Sequence, residues 1–310
     1  MELFGYIFDY VVFPGFLFTA VVGLLTTWVD RKVTARVQWR VGPPWYQPFA
    51  DTFKLMGKET VIPAGASRTG FLAMPVIGLA AATLASTILW KVNLNPGSSF
   101  LGDSIVVLYI MTIPAITLII GGSASGNPLA ILGASREMKM LFAYELPLVI
   151  VVLTSVYKAG SFSFGEILSY QSVNGVMLGS VSGVIAFIVA IMCAQAKCAL
   201  LPFDIPEAET ELAGGSHIEY SGTPYAIVRL IMAIMYFIVP VFIITLFWGG
   251  FHFSGWAILT SILKYVAIIV IMVLIRNTNP RVRIDQMVRF FWGPMLILAI
   301  ISMILTVIGY

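Results

Sequence analysis

Tyr225-Ala-Ile-Val-Arg-Leu-Ile-Met-Ala-Ile-Met-Tyr-Phe-Ile-Val-Pro-Val-Phe-Ile-Ile-Thr-Leu-Phe-Trp248 carries one charge, Arg229, in its whole length. A membrane core is about 30 Å thick and takes about 20 mainly apolar residues to cross as a helix. Outward from it, seven further stretches have the same character: 10–30, 70–91, 103–122, 141–158, 176–197, 257–275 and 290–309. Across the 310 residues, 59% are hydrophobic and 11% charged, whereas soluble domains hold roughly 25% charged residues. The reading is an all-α integral membrane protein of about eight transmembrane helices with short loops, one membrane domain over 1–310. The first apolar stretch lacks a basic leading segment and runs long enough to stay as a span, so a cleaved signal is not expected. Pro14, Pro75, Pro114, Pro147, Pro240 and Pro294 fall in or near the spans, where neighbouring helices can satisfy the freed carbonyls. Pro147, just after Glu145, invites a local break beside a charge.

Orientation follows from lysine and arginine. Of the eighteen cations, Arg31, Lys32, Arg36, Arg40, Lys54, Lys58, Arg68, Arg136, Lys139, Lys197, Arg229, Arg276, Arg281, Arg283 and Arg289 gather on alternate loops and their flanks. Lys91 and Lys158 lie on the other side, and Lys264 within the seventh span. The positive-inside rule makes the first set cytoplasmic, with both termini outside the cytoplasmic membrane. Two cysteines, Cys193 and Cys198, and two histidines, His217 and His252, are too few for a structural zinc, an iron–sulfur cluster or a haem of recognisable spacing. No cofactor is therefore expected on this chain; redox centres, if any, belong to a partner or a diffusible carrier.

Three charged segments stand out. In the first loop, Lys32, Arg36 and Arg40 recur every four residues and share a face if the first span continues as a helix, which Gly42-Pro43-Pro44 then stops. Phe49, Phe53 and Met56 recur at helical spacing beyond it, as in an amphipathic helix lying in the interface. Plain topogenic charge explains this loop as well. At the fourth span, Glu137 lies at the mouth and Glu145 eight residues further in, about 80° round the helix beyond two turns. A carboxylate inside a span costs a few kcal/mol and by default marks an ion or proton path; a static pair with Arg136 or Lys139 is the plainer alternative.

The fifth loop reads Leu201-Pro-Phe-Asp-Ile-Pro-Glu-Ala-Glu-Thr-Glu-Leu-Ala-Gly-Gly-Ser-His-Ile-Glu-Tyr-Ser-Gly222. Asp204 followed by Glu207 has the spacing of a capping box, with Pro206 in the first turn. Glu207 and Glu211 then share a face, with Glu209 opposite. Asp204, Glu207, Glu209, Glu211 and Glu219 crowd acids onto the cationic side, and packed together they titrate as a coupled set. A solvated acidic loop is the alternative, against which Gly214, Gly215 and Gly222 point to close packing. His217 alone reads as a satisfied polar residue.

The strings Arg-Lys-Val-Thr-Ala-Arg-Val-Gln-Trp-Arg-Val-Gly-Pro-Pro (31–44) and Pro-Phe-Asp-Ile-Pro-Glu-Ala-Glu-Thr-Glu-Leu (202–212), followed by His-Ile-Glu-Tyr-Ser-Gly (217–222), resemble signatures of subunit 1 of the respiratory complex I family. The likeness runs from Arg31 through Arg289 and includes Pro280-Arg-Val-Arg-Ile-Asp-Gln286. Trp-Tyr-Gln-Pro-Phe-Ala-Asp (45–51), Ser-Arg-Glu-Met (135–138), Tyr-Glu-Leu-Pro (144–147) and the short loops look most like the membrane subunits of energy-converting nickel–iron hydrogenases and their relatives. Quinone-reducing members carry the acidic loop too, so it does not separate the branches.

The resemblance implies a coupling subunit with no catalytic residues of its own. Its expected partners are soluble iron–sulfur and nickel–iron-hydrogenase-like subunits, which hold the clusters and the nickel–iron centre, antiporter-like membrane subunits, and the lipid bilayer. Nucleic acid is not among them, and a quinone stays open. By motif, Glu145, Glu207, Glu209, Glu211 and Glu219 form the proton path, with Glu137 added. Arg36, Arg40 and Asp204 dock the soluble arm or balance charge, and Arg281, Arg283 and Asp285 anchor the last loop. Two other classes compete: an independent cation/proton antiporter, for which paired broken helices in repeated halves are wanting, and a structural anchor, for which uncharged loops suffice.

Overall fold

The computed structural model describes residues 2–309, apart from the side chains of residues 2, 3, 209 and 210. Its helices are α1 (Glu2–Val11), α2 (Phe16–Val37), α3 (Gln47–Met56), α4 (Arg68–Leu94), α5 (Asp103–Ile110), α6 (Ile113–Ala124) and α7 (Pro128–Ala159). They continue with α8 (Phe164–Asn174), α9 (Val181–Lys197), α10 (Glu209–Leu212), α11 (Gly222–Phe247), α12 (Ala257–Thr278), α13 (Ile284–Phe290) and α14 (Leu296–Ile308). Among the described residues there is no strand.

Seven helical stretches among those residues are long and apolar enough to cross a membrane: Phe4–Val37, Arg68–Leu94, Asp103–Ala124, Pro128–Ala159, Gly222–Phe247, Ala257–Thr278 and Ile284–Ile308. The expected fifth span is α9, apolar but only 17 residues long, about 26 Å at 1.5 Å per residue. The chain is a multi-pass membrane protein.

The hub is α11. It packs against α2, α3, α4, α9 and α12, and from Ala233 to Phe247 every residue is buried. Other helices, rather than lipid, cover that segment on every side. α2 approaches it closely at Gly23, where any Cβ would collide with the Ala233 backbone. The outer rows of α12 and α14, including Ile262, Leu263, Ile297 and Ile304, stay exposed, as lipid-facing rows should.

Three local expectations are corrected. Pro147 does not break its helix: α7 runs unbroken through it, held along its length by α6, α9 and α14. The interruptions lie elsewhere, between α5 and α6 just before Pro114, and in a π-helical turn, Phe291–Met295, that contains Pro294. Arg40 does not share a helical face with Lys32 and Arg36, because α2 ends at Val37 and the chain reverses at Trp39, whose φ is 57°. The Asp204 capping box does not form either: residues 204–208 are irregular and the short α10 begins only at Glu209. The amphipathic α3 is present. Pro48 and Thr52 face the bundle, while Phe53 and Met56 are exposed.

The loop from 198 to 221 is fastened into the bundle. The ring of Tyr220 stacks on Phe71 of α4 with centroids 4.2 Å apart, and its hydroxyl donates to the Phe71 carbonyl at 3.1 Å. On α7, Gly133 lets the 3-10 turn Gly215–His217 lie directly against the helix; a Cβ there would strike the Ser216 backbone nitrogen. On the opposite side of the molecule, Lys91 of α4 pairs with Asp9 of α1.

Candidate functional site

A cavity of about 470 Å³ opens at the cation-rich end, between α2, α3, the 198–207 segment, α11 and the end of α12. Its wall carries four carboxylates, Asp30, Asp51, Asp204 and Glu207, and four guanidinium groups, Arg31, Arg229, Arg276 and Arg281. Most are paired across elements. Arg276 of α12 holds Asp30 of α2 at 2.6 Å, and the Tyr236 hydroxyl of α11 donates to the other Asp30 oxygen at 3.4 Å. Arg31 of α2 reaches Asp51 of α3 at 3.2 Å. Arg281 reaches Asp204 Oδ2 at 2.6 Å, but Asp204 Oδ1 and Arg281 Nε are buried with no hydrogen-bond partner among the described residues. Burial pushes the Asp204 carboxyl above its ordinary range even though Arg281 opposes it. Full pairing would satisfy both oxygens; half pairing leaves Asp204 open to protonation.

Glu207 is the wall residue that leads away from the cavity. Its Oε1 lies 3.1 Å from Nε2 of His217, and Nδ1 of His217 lies 3.1 Å from the Ser216 hydroxyl. Burial pushes the Glu207 carboxyl up, but His217 and Arg229 outweigh it and hold it below the usual carboxylate range. Glu137, on α7, is buried close enough for its charge and that of Glu207 to repel. Further along α7, Glu145 lies 3.6 Å from Nζ of Lys197 at the end of α9, with side-chain exposures of only 16% and 3%. At that distance the two form an ion pair, and among the described residues neither Glu145 oxygen nor the lysine nitrogen has a hydrogen-bond partner. The ammonium also stands 5.4 Å from the centre of the Tyr144 ring.

The remaining expected residues are placed apart from this line. Glu211 is half exposed and bound to Arg136 at 2.6 Å, which holds its carboxyl below the usual range. Glu219 accepts from Nδ2 of Asn127, whose own oxygen caps α7 through the Leu129 N–H at 2.8 Å. Glu207 and Glu211 thus take separate partners instead of sharing a face. The side chain of Glu209 lies outside the described residues. Arg36, Arg40, Arg283 and Asp285 are exposed on the cation-rich side. Arg283 begins α13, where its backbone N–H donates to Gln286 Oε1 at 3.0 Å, and Asp285 stands in that helix's first turn.

Several site residues escaped the sequence reading. Arg229 and Arg276 read there as topogenic charges and Lys197 as one more cation, with no site role for Asp30 and Asp51. The spacing that marks them is not local: Lys197 meets Glu145 only because α9 packs on α7. His217 stood next to the acids in sequence, and its neighbours Gly214 and Gly215 were the signal that it is packed in.

Residues 10–307 match the model of the NADH dehydrogenase family. The chain is 33% identical to the H subunit of NADH-quinone oxidoreductase from Geobacillus thermodenitrificans (strain NG80-2), over 94% of this chain and 91% of that protein. It is 32% identical to the corresponding protein of Geobacillus kaustophilus (strain HTA426), which bears the same name, over 95% and 92%. Among solved structures, that of the membrane-bound sulfane sulfur reductase, an archaeal respiratory membrane complex, contains a chain that superposes with a TM-score of 0.85. The two share 28% identity, covering 94% of this chain and 96% of that one.

Proposed function

This chain belongs to the NADH dehydrogenase family as a membrane subunit of a complex I-like respiratory complex, and on that premise we propose that it couples electron transfer in a docked soluble arm to ion movement in neighbouring membrane subunits. The cation-rich loops face the cytoplasm, where the soluble arm carries its iron–sulfur clusters to the mouth of the charged cavity. An electron arriving there adds negative charge beside Asp204 and Glu207 and raises their affinity for protons. The change is passed inward through Glu137 to Glu145, and from there to antiporter-like partners.

The observation that carries this reading is the Glu145–Lys197 pair. A buried ion pair is compensated only when further hydrogen bonds satisfy its remaining atoms, and among the described residues this one has none. Its charge state is therefore easily shifted by a neighbouring charge. The test is Glu145→Gln in the assembled complex, reconstituted in liposomes. Redox turnover of the soluble arm should persist while redox-driven ion transport falls by about a hundredfold, the lower end of what a positioned proton donor or acceptor contributes to a reaction. Undiminished transport refutes the reading.

A lining of four carboxylates and four guanidinium groups suits water and protons better than an isoprenoid tail, which favours the ferredoxin-linked, hydrogenase-like or sulfur-reducing branch. Likeness to the two NADH-quinone oxidoreductase proteins favours a quinone site instead. The purified complex distinguishes them by its contents, a nickel-bearing subunit in the first case and bound quinone in the second.

A further inference from the structure

His217 is buried, titratable and unused by the path above. Its ring bridges Glu207, a wall residue of the cavity, to Ser216, which is packed against α6 and α7 at Gly122 and Gly133. Resting on the reading above, we propose that His217 is the proton store of the cavity, taking the proton that reaches Glu207 and holding it beside α7. Ser216 sets up the exchange: with Nδ1–H donating to its hydroxyl, the neutral imidazole turns the Nε2 lone pair toward Glu207. Transfer then breaks the Glu207 O–H bond and forms the Nε2–H bond. A neutral pair becomes a carboxylate–imidazolium pair across the same 3.1 Å. The net charge of the pair is unchanged; the transfer separates charge within it, and Arg229 on the cavity side stabilises the carboxylate end.

The surroundings fit a store. The 3-10 turn that carries His217 packs on α6 and α7. α6 offers no titratable side chain. From α7 come Glu137, buried and in no ion pair among the described residues, and Arg136, already bound to Glu211. Arg229 of α11 acts on Glu207 from the cavity side. Glu219, two residues along, is bound to Asn127. Among the described residues the imidazole therefore has one carboxylate partner, and that partner faces the cavity.

Two measurements test this. In the assembled complex, redox-driven ion transport is followed over about pH 5.5–8.5, the range in which a histidine changes charge. His217→Gln keeps a hydrogen-bonding side chain but cannot hold the extra proton. It should lower transport about tenfold and remove the limb of the pH profile that the wild type shows in this range, while redox turnover is unchanged. A wild-type profile in His217→Gln overturns the proposal. Should that variant fail to assemble, the chain itself suffices, because it holds only two histidines. Carbon-13 histidine gives two ring signals in lipid, assigned with His252→Asn. The His217 signal should move with pH, and Glu207→Gln should displace that movement; a signal fixed across the range overturns the proposal. Glu207→Gln also separates the two ideas. If it transports normally, the coupling reading fails; if it does not, yet His217→Gln behaves as wild type, only the proton store fails.

Discussion

Lys197 shows how much rests on one side chain. With Glu145 buried beside it and no hydrogen-bond partner at either group among the described residues, removing the ammonium strands a carboxylate in the bundle. Lys197→Met should destabilise the chain by about 3 kcal/mol, the cost of breaking a buried pair. Lys197→Met with Glu145→Gln should recover most of that loss, since no charge is then left alone. Thermal unfolding in detergent of the two single variants and the double variant checks this; a double variant no more stable than Lys197→Met alone refutes it. Glu207 gives a pH dependence of definite sign. Its carboxyl is held below the ordinary 4.5 by His217 and Arg229 against the effect of burial. The stabilisation is fully present above 4.5 and is lost as pH falls through the lower folded value. Unfolding temperature should therefore drop on acidification below about pH 4.5, and less steeply in Glu207→Gln. At this scale the sequence revealed residue types but not partners. The loop acids announced themselves, yet Asp204, Glu207, Glu211 and Glu219 take their places from Arg281, His217, Arg136 and Asn127. Three of those partners are brought from distant segments by packing.

At the scale of the element, the spans were readable because membrane helices need no periodicity, only length and apolarity. The exceptions are instructive. Pro114 and Pro147 look alike in sequence, but only the first follows an interruption. The second sits in a helix packed by three others, so the difference is tertiary. α9 was expected to begin near residue 176 and begins at Val181, because Met177–Gly179 forms a separate 3-10 turn. The short α10 stands where the capping-box spacing suggested a helix starting after Asp204; Asp204 and Glu207 are instead paired with Arg281 and His217 in an irregular segment. Contacts between backbones make the loop sensitive to small additions. Gly133→Ala places a methyl against the Ser216 nitrogen, an overpacking that should cost about 2 kcal/mol. A lowered unfolding temperature, with the surface-exposed Val61→Ala as control, checks it. No loss of stability would mean that the turn can move off α7.

For the molecule as a whole, the asymmetry of charge was the most legible feature, and it leads to the cavity. Composition placed cations on one side; folding then set Asp30, Asp51, Asp204 and Glu207 among them until the chamber's formal charges cancel. That cancellation has a consequence for how the assembled machine should respond to its medium. A pore ringed by one sign draws counter-ions from solution and loses its pull as salt rises, since screening shortens to about 10 Å at 0.1 M. A zwitterionic chamber recruits neither sign. It acts instead as a small droplet of high permittivity, able to solvate a proton or a transient negative charge without help from bulk electrolyte. Coupled turnover should accordingly be nearly flat between low and moderate ionic strength, and Arg281→Gln, which leaves the chamber anionic, should make it fall as salt is added.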